Sequence, residues 1–259
     1  MSLKALILAS VLVASATTLQ AQEEKTTRAA ILSAEGWEAE WKLGVNIGGA
    51  APIPMPVEIR KIKDYNPKFN GSIEGVITRW IGDRKRWGAS LGIKLEKKGM
   101  ETGAMVKNYS TEIVQGNTLI AGYYTGFVNT NYGAILLTLP VMANYRISDR
   151  WKVRAGLFGS IALDGRFDGY VSEGYLRQNT PTGEKISFEG ETQAGYDFTS
   201  DLRKQQWGAQ LGGTWQADKH ISLNADLTWT FSNIFNKNFN TISFALHPIY
   251  LNLGVGYRL

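Results

Sequence analysis

The sequence predicts an all-β chain, an eight-stranded antiparallel transmembrane β-barrel with short periplasmic turns and long extracellular loops. Three observations predict it. Apolar side chains alternate with small or polar ones over many segments, which is the period of a strand with two unlike faces. Short polar turns alternate with much longer links. The N-terminus reads as an export leader, and no later stretch approaches the ~18 continuous apolar residues of a membrane helix.

In chain order, Lys4 precedes an apolar run from Ala5 to Ala16, and Leu19-Gln20-Ala21 has the form of a cleavage site. Residues 1–21 are therefore read as a signal peptide, 22–36 as a periplasmic N-terminal segment and 37–259 as the barrel. In the first barrel segment Trp41, Leu43, Val45 and Ile47 oppose Lys42, Gly44, Asn46 and Gly48. From Phe69 to Ile81 the alternation is partial, with Ile73 and Ile77 on one parity and Val76 and Trp80 on the other, so the register stays open. Trp87, Ala89, Leu91, Ile93 and Leu95 then oppose Gly88, Ser90, Gly92, Lys94 and Glu96. Tyr132 to Arg146 is a strand by composition, yet it contains Pro140. Proline cannot donate to a ladder, so a bulge or local irregularity is expected there.

The remaining segments are more regular. Trp151, Val153, Ala155, Leu157 and Ile161 oppose Lys152, Arg154, Gly156 and Ser160, a polar face broken by Phe158. Trp207, Ala209, Leu211, Gly213 and Trp215 oppose Gly208, Gln210, Gly212, Thr214 and Gln216. Ile221, Leu223, Ala225, Leu227, Trp229 and Phe231 oppose Ser222, Asn224, Asp226, Thr228 and Thr230. Finally Ile249, Leu251, Leu253, Val255, Tyr257 and Leu259 oppose Tyr250, Asn252, Gly254, Gly256 and Arg258. A long apolar strand left unpaired would recruit other chains, and barrel closure removes that edge.

Residues 82–86, 148–150 and 217–220 are the short turns, placed on the periplasmic side; 50–68, 97–131, 163–205 and 232–242 are the long links. Tyr170–Arg177 and Lys185–Glu191, around a turn at 179–183, are expected to rise as a hairpin. Trp41, Trp80, Trp87, Tyr145, Trp151, Trp215 and Tyr257 cluster at the short-turn rim as an aromatic girdle. The rival fold is a secreted lipocalin-like barrel with its apolar face inward. That fold would show Lys and Glu on its other face, where this chain has Gly, Ser, Thr, Asn and Gln.

The net charge of +5 falls by one when Lys4 leaves with the leader, and no basic stripe interleaved with aromatics suggests nucleic acid. The absence of cysteine excludes disulfides and thiolate metal sites. With two histidines far apart, no catalytic residue, metal site or cofactor is assigned. His220 reads as a solvated turn residue; His247 could pair with Ser243 in a lipid A-modifying enzyme, and reads better as an interfacial hydrogen-bonding group. Lys94, Glu96, Lys152, Arg154 and Asp226 have inward parity and are read as a lumen charge network. Arg60, Lys61, Lys63 and Lys68 sit in the first long link, where lipopolysaccharide phosphates lie close.

Several stretches resemble the PorT-like outer membrane β-barrel proteins of the Bacteroidota. They are Ile93-Lys94-Leu95-Glu96-Lys97-Lys98-Gly99, Leu137-Thr138-Leu139-Pro140-Val141 before Tyr145-Arg146, Trp207-Gly208-Ala209-Gln210-Leu211-Gly212-Gly213, and Leu253-Gly254-Val255-Gly256-Tyr257-Arg258-Leu259. The resemblance covers residues 40–259, with Leu259 where that family usually ends in Phe. It implies an outer-membrane barrel, a porin-family label, and partners among envelope lipid, lipopolysaccharide and other envelope or secretion-system proteins, PorT itself being linked to type IX secretion. The expected function is a non-enzymatic binding or assembly platform acting through the outer loops, with a small passive channel as the alternative.

Overall fold

Segments with one apolar and one polar face pair edge to edge until the first strand meets the last. The computed structural model describes residues 36–115, 118–188, 190 and 192–259; the leader, and residues 22–35 of the expected periplasmic segment, lie outside the described residues. The strands are β1 (Trp37–Pro52), β2 (Ile59–Asn66), β3 (Gly71–Ile81), β4 (Trp87–Gln115), β5 (Thr118–Arg146), β6 (Trp151–Gln178), β7 (Lys185–Phe188), β8 (Ala194–Asp197), β9 (Gln205–Gln216), β10 (Ile221–Thr230) and β11 (Leu246–Arg258). Eight of them, β1, β3, β4, β5, β6, β9, β10 and β11, pair antiparallel in that order. The ring closes where β11 pairs β1 from Glu40↔Arg258 to Pro52↔Leu246.

In the lower barrel the even-numbered residues of every wall strand turn inward and the odd-numbered ones outward. Outward rows such as Leu91, Ile93 and Leu95, or Leu223 and Leu227, are exposed and apolar. Inward positions such as Lys94, Glu96, Asn224 and Asp226 are buried and polar. This is inside-out for a protein in water and correct for one in lipid. Trp41, Trp87, Trp151 and Tyr257 are more than half exposed at the lower rim, and Tyr145 packs on Trp87 at 4.7 Å. A second aromatic group, which the sequence reading did not single out, lies at the upper rim: Trp207 and Trp229 each meet Phe231 at 5.3 Å.

Two expectations are corrected, and a third is met in one of its two forms. Trp80 is not part of the girdle: the register of β3 places Ser72, Glu74, Val76, Thr78 and Trp80 inward and Ile73, Ile77 and Ile81 outward, so Trp80 is buried in the lumen. It lies opposite Gly88, whose missing side chain leaves space for the indole. At Pro140 the expected irregularity is a gap and not a bulge: the β4–β5 ladder lapses between Leu91↔Val141 and Lys94↔Thr138 and resumes in the same register. A Cβ on Gly92 would come within 2.9 Å of the Pro140 ring, so the glycine is what lets the proline stay inside the wall. Residues 97–131 are not a loop, because β4 and β5 run on as one hairpin to Gln115 and Thr118.

Above the barrel β4, β5 and β6 continue upward, and the parity of β6 reverses at a bulge where Ile135 pairs Asp164 but Leu136 pairs Ala162. The hairpin expected after Tyr170 is present, with Arg177 opposite Lys185. Leu227 is 47% exposed in the lipid-facing row and Thr228 is buried, its hydroxyl donating to the Tyr250 carbonyl at 3.2 Å. Leu227→Arg should therefore cost about 2–4 kcal/mol of refolding stability near the bilayer midplane, falling in thinner bilayers. Thr228→Arg should cost by crowding and be insensitive to the lipid. Equilibrium refolding in bilayers of two thicknesses checks both, and a lipid-dependent loss at Thr228 rather than Leu227 would reverse the assignment of faces.

Candidate functional site

Filling a narrow lumen with polar side chains requires that almost every one find a partner, since each unpaired buried group costs about 1–3 kcal/mol. At the lower end Glu38 collects Lys152, Arg146 at 3.5 Å and Arg258 at 3.7 Å, and accepts a hydrogen bond from Trp80 Nε1 at 3.0 Å. Arg146 lies over the Trp80 ring at 4.2 Å, so the indole and its cations form a floor. The next level holds Lys42 with Glu74 at 3.7 Å and Arg154 with Asp226, whose Nε–Oδ1 distance is 2.7 Å. A Cβ on Gly212 would meet the Asp226 carboxylate at 1.9 Å, so glycine is needed there for the pair to form.

Higher still, Glu96 lies 2.9 Å from Lys94 and 3.1 Å from Lys98, and accepts hydrogen bonds from Asn46 and Thr138. Asn252 continues the network to Asn46 and Ser72, each at 2.8 Å. Lys98 also lies over the rings of Phe158 and Tyr250, so the phenylalanine that broke the polar face of β6 is a cation's seat. Between the lower two levels lies a cavity of about 20 Å³, room for about one water.

The five lumen charges read from parity thus all lie inside, but not as one group: Lys94 and Glu96 pair with each other, Arg154 with Asp226, and Lys152 with Glu38. Sequence reasoning missed Glu38, Lys42, Glu74 and Lys98 as members, and Glu40, which accepts a hydrogen bond from Ser222. Lys98 was legible, since it continues the even row of Lys94 and Glu96. Glu74 was not, because the register of β3 was open.

Above Lys98 the inward face turns apolar. Met100, Ala104, Val106, Val128, Tyr132 and Phe167 belong to a buried cluster that fills an extracellular cap. β8 pairs β6 along Asp168–Val171 and meets β4 at Val114↔Gly195, which draws the rising strands together. The segment after β10 tucks Ile234 and Phe235 into the centre, where Phe235 meets Phe167 at 4.8 Å and Phe239 at 4.4 Å. Burial raises the pKa of Tyr109 and Tyr196 above the ordinary phenol range. Outside, Glu101, Asn129, Asn131, Asp168 and Arg166 join in a polar belt of hydrogen bonds.

Of the four cations expected near lipopolysaccharide, Arg60, Lys61 and Lys63 lie exposed on β2. Lys68 instead turns to Glu101 at 3.4 Å and Asn131 at 2.5 Å. His220 sits in its turn, stacked on Tyr257 and bonded to the Arg258 carbonyl at 3.1 Å. His247 donates to the Thr230 carbonyl at 3.2 Å while Ser243 is exposed, and no hydrogen bond joins the two among the described residues.

The Arg154–Asp226 pair makes a sharp energetic test. Arg154→Met should cost about 3–5 kcal/mol because it strands the Asp226 carboxylate, and Arg154→Met with Asp226→Leu should recover most of that loss. Urea titrations of refolded protein read both values; a double variant no more stable than the single would contradict the pairing.

In solved structures the chain is similar to Ail, the attachment invasion locus protein of Yersinia pestis, at 12% identity and TM-score 0.39, covering 86% of this chain and 98% of that one. It is similar to the outer membrane protein OprG of Pseudomonas aeruginosa at 10% identity and TM-score 0.34, covering 87% and 97%. Neisserial surface protein A gives 10% identity and TM-score 0.31, covering 86% and 96%. None of the curated proteins matches it. The model of the outer membrane protein beta-barrel domain matches residues 20–236, most of the chain, and the protein belongs to that family.

Proposed function

We propose that this outer-membrane barrel works as a non-enzymatic binding or assembly platform, offering the surface of its extracellular cap to partners in the envelope. The observation that supports the reading most is the interior: ion pairs occupy the lumen, with a cavity of about 20 Å³ between its lower levels, and an apolar cap lies above them. A solute path would need a continuous wet passage, and eight strands leave little width for one. What rises above the membrane is a set of paired strands packed around an apolar core. Its long β4–β5 hairpin and the β6–β7 turn present exposed residues such as Leu119 and Thr180 to the outside.

The passive channel is the second reading, favoured by the polar lumen and opposed by its filling. A lipid A-modifying activity is opposed by the engagement of His247 with the Thr230 carbonyl. The finer likeness to PorT-like barrels supports partners among envelope or secretion-system proteins, with lipopolysaccharide phosphates at Arg60, Lys61 and Lys63. Planar bilayer recordings of refolded protein separate platform from channel. The platform predicts no stable conductance steps from the wild type; large, lasting steps would overturn it.

A further inference from the structure

Above Val45 the barrel wall has a seam. β1 pairs β3 only as far as Val45↔Gly71, while its other edge stays paired to β11 up to Pro52. The place that β3 vacates beside β4 is taken by β2, which pairs Glu101–Val106 of β4 and, among the described residues, no other strand. β1 and β2 therefore face each other without a ladder, joined where the Tyr65 hydroxyl donates to the Gly48 carbonyl at 2.9 Å.

Behind the seam lies an apolar cavity of about 410 Å³, within the size range of small-molecule sites. Met100, Ala104, Val106 and Val128 form its back wall, where it reaches into the cap. Its outer wall is built by β2 in an unusual way. Register shifts between Ile59 and Lys61 and between Ile62 and Asp64 convert the period of two into a period of three, so that Ile59, Ile62 and Tyr65 all line the cavity.

We propose that this cavity holds one acyl chain of a phosphorylated lipid drawn sideways from the surrounding leaflet. The height of the mouth identifies the source. Its lower lip includes Gly49 and Ile249, paired partners in the row that runs on to Trp229 of the upper aromatic group, so the opening lies where acyl chains meet headgroups. The charge around it identifies the headgroup. Arg60, Lys61 and Lys63 are exposed on the strand that forms the outer wall, and none of them pairs with a carboxylate among the described residues. A chain in the cavity and a phosphate on these cations would satisfy both surfaces of β2 at once. The site shares its cations with the lipopolysaccharide contact above and is independent of what the cap binds.

The test uses the full mature chain refolded in phosphatidylcholine nanodiscs carrying a minor share of lipid A, then stripped in detergent and weighed by native mass spectrometry. The wild type should retain one lipid A per chain. Ala104→Trp, which fills the cavity, should lower retention by about tenfold, and Arg60→Gln with Lys61→Gln and Lys63→Gln should lower it severalfold. Equal retention by Ala104→Trp, equal retention of phosphatidylcholine, or capture of added oleate in place of lipid A would each overturn the proposal. Because the chain has no cysteine, Ala104→Cys supplies a second reading that does not depend on a bulky residue folding. Its thiol should react with N-ethylmaleimide about tenfold more slowly in discs with lipid A than in discs without, and equal rates would refute occupancy.

Discussion

Each long strand of this protein has to satisfy two solvents along its length, and the rest of the structure follows from how it does so. Along β4 the outward residues Leu91, Ile93 and Leu95 suit lipid, and the inward Ser90, Lys94, Glu96 and Lys98 must then partner one another. A few residues higher the faces exchange character: Lys97 and Glu101 look outward, while Met100, Ala104 and Val106 are buried. The backbone continues unbroken through the change. The boundary of the hydrocarbon is thus recorded within one strand, where the apolar face passes from outside to inside.

Below that boundary the filling is ionic, and this has a consequence for register. Buried ion pairs contribute little net stability against a well-packed apolar interior. A one-residue slip of any wall strand, however, would carry Lys94, Arg154 or Asp226 into lipid and break its pair. The charges therefore penalise every wrong alignment more than they reward the right one. The same contacts that fix the register occupy the space between the strands. Above the boundary the interior is apolar and aromatic, so the cap folds by the ordinary rules of a protein in water.

What was legible in the sequence was whatever obeyed one period against one solvent. Ile221–Phe231 and Ile249–Leu259 show their faces plainly because every outward residue meets lipid. Trp80 misled because an aromatic near a rim suits either the girdle or the lumen, and only the opposite Gly88 and the partner Glu38 decide between them. Residues 97–131 were read as a link because the outward row turns polar at Lys97, which removes the signal without ending the strand. The side cavity was hidden for a different reason: bulges in β2 give a period of three, which belongs to no regular strand. Ion-pair partners such as Glu38 with Lys152 lie far apart in the chain and follow only from barrel closure.

The exchange of faces along β4 is the central claim, and spin-label accessibility measures it directly. The chain has no cysteine, so single labels can be placed at Leu91, Ile93, Leu95, Lys97, Glu101 and Met105 in protein refolded into liposomes. Labels at the first three should collide mainly with oxygen, which concentrates in lipid, and those at the last three with a water-soluble nickel complex. Oxygen-dominated collisions persisting through Met105, or nickel-dominated ones at Leu91, would contradict the account.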